Sequence, residues 1–148
     1  MKLDCGFEKE NNWFRYRAGA IIINDDKMLF VKSAIGDYYY MIGGGVHLGE
    51  TSPNCIEREV LEETGINIEI IPGFVKSSEY SIQGKIEKSV SIFLAKTEQT
   101  DYKLQEEEIE ECGWYGFDAA LKVLNYENDK YILTEAERFI SENTTQGV

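Results

Sequence analysis

The sequence predicts an α/β fold built as one domain over residues 1–148. Runs of β-branched and aromatic residues bounded by turn residues predict strands, and one capped segment with apolar residues three and four apart predicts a helix. Two further helical stretches lie near the C-terminus. Since 148 residues is the length of a single domain, these elements are expected to share one core.

A hairpin is the first predicted element. Residues 15–23 and the segment KMLFVK after them are rich in apolar and β-branched residues, which favour strands. The residues between them, Asn24, Asp25 and Asp26, favour turn conformations. We therefore expect two strands joined by a tight turn.

Three consecutive glycines follow the next apolar and aromatic run, Tyr38 to Ile42. Glycine interrupts regular structure and lets the backbone approach another group closely. We therefore expect a short strand that ends at residue 42 and a flexible loop over Gly43 to Gly49.

Residues 52–64 are predicted to form a helix. Thr51 or Ser52 can cap its start, and Gly65 is placed to end it. Proline is tolerated in a first helical turn, so Pro53 fits the same boundary. A stripe of apolar residues at helical spacing is expected to face the core. It consists of Pro53, Ile56 and Val60.

The second half of the chain predicts another hairpin, a loop, a strand and two helices. Residues 67–80 and 88–97 are rich in alternating apolar and β-branched residues, with Gln83 and Gly84 at the turn between them. The acidic run over residues 106–111 is typical of a solvated loop. The remaining predicted elements are a strand over Cys112 to Gly116 and helices over Asp118 to Leu124 and Lys130 to Glu142.

The charge of the chain is strongly acidic, with 27 acidic against 15 basic residues and a net charge of −12. Such a surface repels a phosphate backbone and attracts divalent cations, although solubility alone also explains much of it. We therefore expect a small-molecule partner rather than polymeric nucleic acid. The sequence leaves monomer and homodimer open.

The cysteines and the apolar runs argue against other classes of protein. Three separated cysteines without metal-ligand spacing favour neither a disulfide framework nor a structural zinc site. The first residues lack the apolar stretch of a signal peptide, and no apolar run approaches the roughly 18 residues of a membrane span. We expect a cytoplasmic protein without membrane contact.

Acidic residues cluster on one side of the predicted helix. Glu59 lies three residues before Glu62 and four before Glu63, so their carboxylates stack within reach of one another. Such like charges repel unless a cation is present, and hard cations such as Mg²⁺ or Mn²⁺ prefer oxygen ligands. Glu50, at the end of the glycine loop, can join the site. The alternative is a solvated acidic face in which Arg58 pairs with Glu62.

These residues belong to a longer motif of 23 consecutive residues, from Gly44 to Ile66, that resembles the signature of the MutT-like Nudix hydrolases. The matching positions are Gly44, Glu50, Arg58, Glu59, Val60, Glu62, Glu63, Gly65 and Ile66. The resemblance implies a metal-dependent enzyme that hydrolyses the pyrophosphate linkage of nucleoside diphosphates joined to another moiety. It also implies an α/β/α sandwich, with a mixed curved sheet between the helix of the motif and the C-terminal helices.

The same resemblance implies roles for individual residues. The expected metal ligands, for Mg²⁺ or Mn²⁺, are Glu50, Glu59, Glu62 and Glu63. Arg58 is expected to orient a glutamate and to brace the loop, because a guanidinium fork matches a carboxylate. The backbone of Gly44 and Gly45 offers amide donors to phosphate oxygens.

The expected reaction is the attack of water on phosphorus, assisted by metal ions that neutralise the developing charge. A carboxylate has to accept the proton of that water. The candidates are Glu59 and a glutamate of the acidic run, where Glu108 occupies the position of an extra acidic ligand in several relatives. A solvated loop is the alternative explanation of Glu108. The predicted catalytic residues are thus Arg58, Glu59, Glu62 and Glu108.

The region downstream of the motif resembles asymmetric diadenosine tetraphosphate hydrolases. The resemblance rests on Gly73-Phe74, Tyr80, Lys88-Ser89-Val90 and Trp114. It implies that Tyr80 stacks on a base, which stabilises binding by about 1–3 kcal/mol, and that Lys88 pairs with a distal phosphate. A dinucleoside polyphosphate is therefore the favoured substrate.

The glycine loop departs from that group of hydrolases. They usually carry Pro-Lys-Gly-His, whereas this chain reads IGGGVH over residues 42–47, so the phosphate-binding lysine is absent. His47 is then either a phosphate or metal contact or a surface residue. The open alternatives are a nucleoside triphosphate, ADP-ribose or nucleotide-sugar pyrophosphatase, and a Nudix-fold sensor that binds nucleotides without cleaving them.

Overall fold

One mixed sheet lies at the centre of the structure, a computed structural model that describes residues 4–33, 38–104 and 109–143. Its strands are β1 (Gly6–Lys9), β2 (Asn12–Asn24), β3 (Lys27–Ser33), β4 (Tyr39–Tyr40), β5 (Ile42–Gly45), β6 (Glu69–Ile82), β7 (Ile86–Lys96) and β8 (Ile109–Tyr115). The helices are α1 (Ser52–Thr64), α2 (Phe117–Val123) and α3 (Glu127–Asn143).

The topology of the sheet is organised around β2. This strand pairs antiparallel with β1, β3 and β5 and parallel with β7. β6 pairs antiparallel with β7, and β3 pairs antiparallel with β4 and β8. The parallel pair of β2 and β7 makes the sheet mixed, as predicted.

Two hydrophobic cores lie on opposite faces of the sheet. Successive side chains of a strand point to opposite faces. Ala20 and Ile22 of β2 accordingly pack in one core with Ile56 of α1, whereas Ile21 packs in the other with Leu133 of α3. The helices therefore cover both faces of the sheet, which confirms the predicted α/β/α sandwich.

The first helix confirms its predicted boundaries. Thr51 Oγ1 accepts a hydrogen bond of 3.2 Å from Asn54 N at the start of α1. Gly65 ends the helix with a φ of 75°, a conformation that favours glycine. Ile56 and Val60 are buried as expected. Pro53 is half-buried, and the buried face also includes Cys55, Glu63 and Thr64.

Both predicted hairpins are present. β2 and β3 form the first, with a positive φ of 54° at Asp25 in its turn. β6 and β7 form the second, and Gln83 and Gly84 adopt φ values of 53° and 68° in its turn. The turn chemistry of the sequence thus located both reversals of the chain.

The predicted break at the glycines is wrong. Gly43 to Gly45 form β5 together with Ile42 and pair with β2, so the loop begins at Val46. A Cβ at Gly43 would lie 2.1 Å from Ala18 O, a distance that no side chain tolerates. Here the missing side chains permit a close strand pair, and this packing overrides the weak strand propensity of glycine.

Two other strands differ from the prediction. β8 begins at Ile109, inside the acidic run predicted as a loop, because Ile109 and Glu111 pair with β3. β1 has no predicted counterpart, since its four residues are all exposed and show no apolar alternation. It reaches β2 through a turn with φ values of 52° at Glu10 and 70° at Asn11.

The C-terminal helices confirm the prediction with shifted boundaries. α2 begins at Phe117 rather than Asp118, and α3 begins at Glu127 rather than Lys130. α2 and α3 both contribute to the core that lies opposite α1. No helix in the described ranges is long and apolar enough to span a membrane.

Candidate active site

The carboxylate of Glu59 lies directly over Gly44. A Cβ built at Gly44 would lie 2.4 Å from Glu59 Cδ, so a side chain at position 44 and the observed carboxylate exclude each other. Gly44 is on the central part of the sheet next to β2, and Glu59 is in the middle of α1. Because Gly44 has no side chain, the Glu59 carboxylate of α1 can occupy the space above it. We call this space the Gly44 cradle.

The guanidinium of Arg58 holds the surrounding acidic groups together. Its Nε and Nη2 donate to the two oxygens of Glu50 at 2.7 and 3.0 Å. Its Nη1 donates to Glu59 at 2.8 Å and to Glu62 at 3.3 Å. Nη2 also donates to Gly45 O at 3.1 Å. This pattern agrees with the predicted role of Arg58 in orienting a glutamate and bracing the glycine segment.

The structure places Glu50 as the bidentate partner of Arg58. Its Oε1 also accepts from His47 N at 3.0 Å, so both oxygens already bind a donor. The Arg58 guanidinium holds the pKa of Glu50 at about 2, well below its ordinary value. In this arrangement Glu50 orients Arg58, and its role as a metal ligand stays a prediction.

The other three predicted metal ligands have different exposures. The side chain of Glu59 is 15% exposed and that of Glu62 is 52% exposed, while Glu63 is buried. Burial raises the pKa of Glu59, and the charge of Glu62 raises it further against the opposing effect of Arg58. Glu63 shares a hydrogen bond with Glu59. Glu59 and Glu63 are therefore poorly solvated, and the better solvated Glu62 adds a further negative charge beside Glu59.

This donor set fits a hard divalent cation. Within residues 4–33, 38–104 and 109–143, no three His, Cys, Asp or Glu side chains are arranged as a ready metal site. Arg58 Nη1 instead bridges Glu59 and Glu62. Three carboxylates beside the Gly44 cradle nevertheless supply the oxygen ligands that Mg²⁺ and Mn²⁺ prefer. Glu59, Glu62 and Glu63 would hold such a cation, which would supply positive charge for phosphate oxygens.

The predicted base Glu108 lies outside the described residues. The strand that follows it, β8, is paired with β3 from Ile109 onward. Glu111 on this strand accepts a hydrogen bond from the hydroxyl of Tyr39, which raises the pKa of that tyrosine. Among the described candidates for the base, Glu59 is the carboxylate at the glycine cradle.

Tyr80 and Lys88 lie opposite each other in the pairing of β6 with β7. Lys88 Nζ is 5.8 Å from the centroid of the Tyr80 ring. Tyr80 is 44% exposed as a residue, yet the surroundings of its hydroxyl are dry enough to raise its pKa. The structure thus brings together the two side chains predicted for base stacking and phosphate pairing, on the face of the sheet that carries α3.

Arg17 is a candidate functional residue that the sequence prediction missed. It faces Gly45 in the pairing of β2 with β5. Burial lowers the pKa of Lys88, and the charge of Arg17 lowers it further. Burial also raises the pKa of Cys55 to about 12, with Arg17 among the charges that oppose this shift. Arg17 therefore lies between the glycine segment and the second hairpin.

The guanidinium of Arg17 forms no hydrogen bond or ion pair with the side chains of the described ranges, whereas Arg15 pairs with Asp4 at 2.7 Å. Lys88 and Arg17 are neighbouring cations that share no anion within the described ranges, which is unusual in a chain with a net charge of −12. Arg17 and Lys88 thus form a site of positive potential. The signal in the sequence is the alternation of Arg15 and Arg17 along an otherwise apolar strand, which puts both on one face.

Gly45 and His47 both lie next to the carboxylate of Asp4. A Cβ at Gly45 would lie 2.5 Å from the carboxylate of Asp4. His47 Nε2 lies 3.5 Å from the same carboxylate. Asp4 pairs with Arg15 and therefore also lies beside Gly45, the residue predicted to contact the substrate.

Comparison with known proteins identifies this arrangement of sheet, glycine segment and acidic helix. Residues 13–136 match the family model described as the NUDIX domain. The chain belongs to the Nudix hydrolase family. Members of this family generally use divalent metal ions, in agreement with the oxygen ligands of α1.

Solved Nudix structures share the fold of this Nudix domain. A Caenorhabditis elegans Ap4A hydrolase, solved as a binary complex, has 23% identity and a TM-score of 0.77, covering 86% of this chain and 98% of that protein. A MutT NUDIX hydrolase from Burkholderia pseudomallei has 20% identity and a TM-score of 0.66, covering 82% and 96%. At these identities the likeness establishes the fold alone.

A curated relative is closer in sequence but much longer. The NAD-capped RNA hydrolase NudC of Haemophilus influenzae (strain PittEE) is 35% identical over 89 residues, which is 60% of this chain and 32% of that protein. The chain therefore spans about a third of the length of this curated relative.

Proposed function

We propose that this Nudix protein hydrolyses the pyrophosphate linkage of a nucleoside diphosphate joined to a further group. The observation that carries the proposal is the carboxylate of Glu59, which is held over the Gly44 cradle and beside two further glutamates of α1. A cluster of poorly solvated carboxylates is costly unless a cation or proton compensates it. The proposed ligands of Mg²⁺ or Mn²⁺ are Glu59, Glu62 and Glu63.

The residues around the proposed cation have distinct roles. Glu59 accepts the proton of the attacking water, with Glu108 as the alternative base. Arg58, fixed by Glu50, orients Glu59. When bound, the cation supplies neutralisation of phosphate charge and activation of water. Water attacks one phosphorus, the bridging P–O bond breaks, and the products are two phosphate esters.

A dinucleoside polyphosphate such as diadenosine tetraphosphate is the substrate we favour. Arg17 and Lys88 provide two cations for phosphates beyond the bond that is cleaved, and the exposed ring of Tyr80 provides a stacking surface for a base. A nucleoside triphosphate, ADP-ribose or a nucleotide sugar offers fewer phosphates or a single base. These compounds are the alternatives that a substrate panel has to separate.

The second candidate substrate is an NAD-type dinucleotide. The stretch of 35% identity to NudC, named an NAD-capped RNA hydrolase, favours it. NAD shares with diadenosine tetraphosphate an adenosine and a phosphoanhydride to a second nucleoside. The net charge of −12 disfavours the RNA part of a capped transcript, because like charges repel. Free NAD is therefore a better candidate for this chain than capped RNA.

A panel of substrates tests the proposed function. Diadenosine tetraphosphate, NAD, NAD-capped RNA, ADP-ribose, a nucleotide sugar and the eight nucleoside triphosphates are incubated with the full chain and Mg²⁺, and products are separated by ion-exchange chromatography. We expect the highest kcat/KM for diadenosine tetraphosphate. A higher kcat/KM for NAD would identify an NAD-type dinucleotide as the substrate instead. Tight nucleotide binding without turnover of any compound would show a sensor and contradict the enzyme.

A further inference from the structure

Three tyrosines form an open aromatic surface beside Lys88. Tyr38 contacts Tyr126 edge to face, with ring centroids 6.2 Å apart. Tyr80 lies near Tyr126, since Ser78, two residues before Tyr80 on β6, is hydrogen-bonded to Asn128, two residues after Tyr126. Tyr80 and Tyr126 are 44% and 56% exposed. We call Tyr38, Tyr80 and Tyr126 the tyrosine cluster.

The first turn of α3 is fastened next to this cluster. Asn128 Nδ2 donates a hydrogen bond to Ser78 Oγ on β6. Ser78 and Tyr80 are two residues apart on one strand, so their side chains share a face. Asp129, which follows Asn128, is therefore held near the Tyr80 ring, and its charge is among those that act on Tyr80.

The carboxylate of Asp129 has no hydrogen-bond donor and no counter-cation among the residues that the structure describes. Burial raises its pKa, and no other described residue contributes to that shift. Every fully buried polar side-chain atom of the described residues has a partner, so the oxygens of Asp129 are reachable from solvent. Partial burial weakens the hydration of this carboxylate, and a ligand that carries a donor restores a hydrogen bond to it.

We propose that the tyrosine cluster and Asp129 form a base-binding pocket in which Asp129 accepts a hydrogen bond from an exocyclic amine, as in adenine. This proposal rests on the function proposed above and identifies the base as the part of the substrate that the pocket recognises. Aromatic rings stack on any base, so the cluster provides affinity without choice. The carboxylate provides the choice, because an acceptor at the edge of a base favours an amine over a carbonyl oxygen.

The position of the pocket suits a nucleotide. Lys88 lies between Tyr80 and Arg15, across the β6–β7 and β2–β7 pairs. Arg17 follows two residues along β2 and faces Gly45. Base, cations and glycine segment thus lie in one row across the sheet. A nucleotide whose base enters the pocket extends its phosphates over the cations toward the glycine segment.

A helix-stabilising role is the competing explanation of Asp129. An acidic side chain in a first turn interacts favourably with the helix dipole. That role predicts lower stability when the charge is removed. A binding role predicts the opposite for the free protein, because an uncompensated half-buried charge disappears.

The test compares the binding of AMP and of purine riboside 5′-monophosphate, which lacks only the amine, by calorimetry on the full chain. The wild-type protein is expected to bind AMP about tenfold more tightly, the order of one specific base contact. Asp129→Ala is expected to reduce that ratio to within about twofold, and Asp129→Asn, which keeps an acceptor oxygen, to retain part of it. Asp118→Ala, at an exposed acidic residue in the first turn of α2, is the matched control and keeps the wild-type ratio.

Several outcomes overturn the base pocket. They are an equal affinity of the wild-type protein for both ligands, an unchanged ratio in Asp129→Ala, and a lower melting temperature of ligand-free Asp129→Asn. The wild-type ratio decides the matter even if Asp129→Ala fails to fold. Turnover of the substrate panel is measured separately, so an active enzyme without amine preference contradicts the pocket alone. Amine preference without turnover contradicts the proposed hydrolysis alone.

Discussion

The two faces of the sheet around β2 carry opposite chemistry. On the α1 face, one arginine holds three carboxylates beside a glycine cradle. On the α3 face, Arg17 and Lys88 lie next to exposed tyrosines and share no anion among the residues that the structure describes. We therefore expect the α1 face to carry bond cleavage and the α3 face to carry substrate recognition. Changes on the α1 face should lower kcat, whereas changes on the α3 face should raise KM.

The largest expected effect is at Glu62. Glu62→Gln should lower kcat by at least about 100-fold, because it removes a charge from the proposed metal site. Fold stability should change little, since Glu62 is 52% exposed and its carboxylate is repelled by its neighbours. Kinetics and thermal melting measure both quantities. Glu57→Gln, at an exposed residue of the same helix, is the control. A collapse of stability in Glu62→Gln would assign that carboxylate a structural role.

Arg58→Ala should impair both stability and turnover. It leaves the carboxylates of Glu50 and Glu59 without their donor, a loss of about 3 kcal/mol in the free energy of unfolding. The expected fall in kcat is about 10–100-fold, because Glu59 is no longer oriented. Denaturant titration and steady-state kinetics measure these changes. Arg138→Ala, at an exposed ion pair on α3, should change neither quantity by a comparable amount. Wild-type stability of Arg58→Ala would contradict the bracing role.

Gly44→Ala should displace Glu59 without touching any charge. The added Cβ would lie 2.4 Å from Glu59 Cδ, so the carboxylate has to move. We expect kcat to fall about tenfold and the free energy of unfolding to fall by about 1–3 kcal/mol. Gly116→Ala is the matched control, because a Cβ there meets nothing within 4 Å. Unchanged kcat in Gly44→Ala would remove the link between the cradle and catalysis.

Arg17→Ala should affect recognition alone. Removing one of the two cations is expected to raise KM for diadenosine tetraphosphate about tenfold with kcat nearly unchanged. Lys85→Ala, at the exposed hairpin turn, removes the same charge elsewhere. An effect of Arg17→Ala on kcat alone would contradict the division between the two faces.

The smallest expected effect is the acid sensitivity of Glu50. Its pKa is lowered from 4.5 to about 2, so its contribution to stability is complete above pH 4.5 and is lost as the pH falls toward 2. Denaturant titrations of metal-free protein over that interval should therefore give a shallower loss for Glu50→Gln than for the wild type. If the free energies of unfolding of the two proteins fall in parallel, the ion pair of Glu50 with Arg58 does not stabilise the fold.

The α1 face was largely predictable from the sequence. The caps, the glutamates and Arg58 lie within one contiguous segment, and helical spacing alone brings them together. The glycine segment was predicted as a loop because local propensity cannot reveal the Ala18 carbonyl that lies 2.1 Å from the position of a Gly43 Cβ. Close strand approach is a tertiary property.

The α3 face was only partly predictable. Tyr80 and Lys88 follow from a hairpin, a local feature with clear turn residues. Arg17 joins them through the parallel pairing of β2 with β7, which no local pattern specifies. Asp129 comes from a helix near the end of the chain, where an acidic residue in a first turn has an ordinary structural explanation. Long-range pairing decides which of these side chains meet.

The central claim is that the carboxylates of α1 support cation-dependent hydrolysis of a phosphoanhydride. The most direct measurement is the dependence of diadenosine tetraphosphate hydrolysis on Mn²⁺ concentration, compared between the wild type and Glu62→Gln. We expect no turnover without the cation and a half-saturating concentration at least about tenfold higher in Glu62→Gln. Turnover that persists without added cation after chelation, or identical titration curves for the two proteins, would contradict the claim.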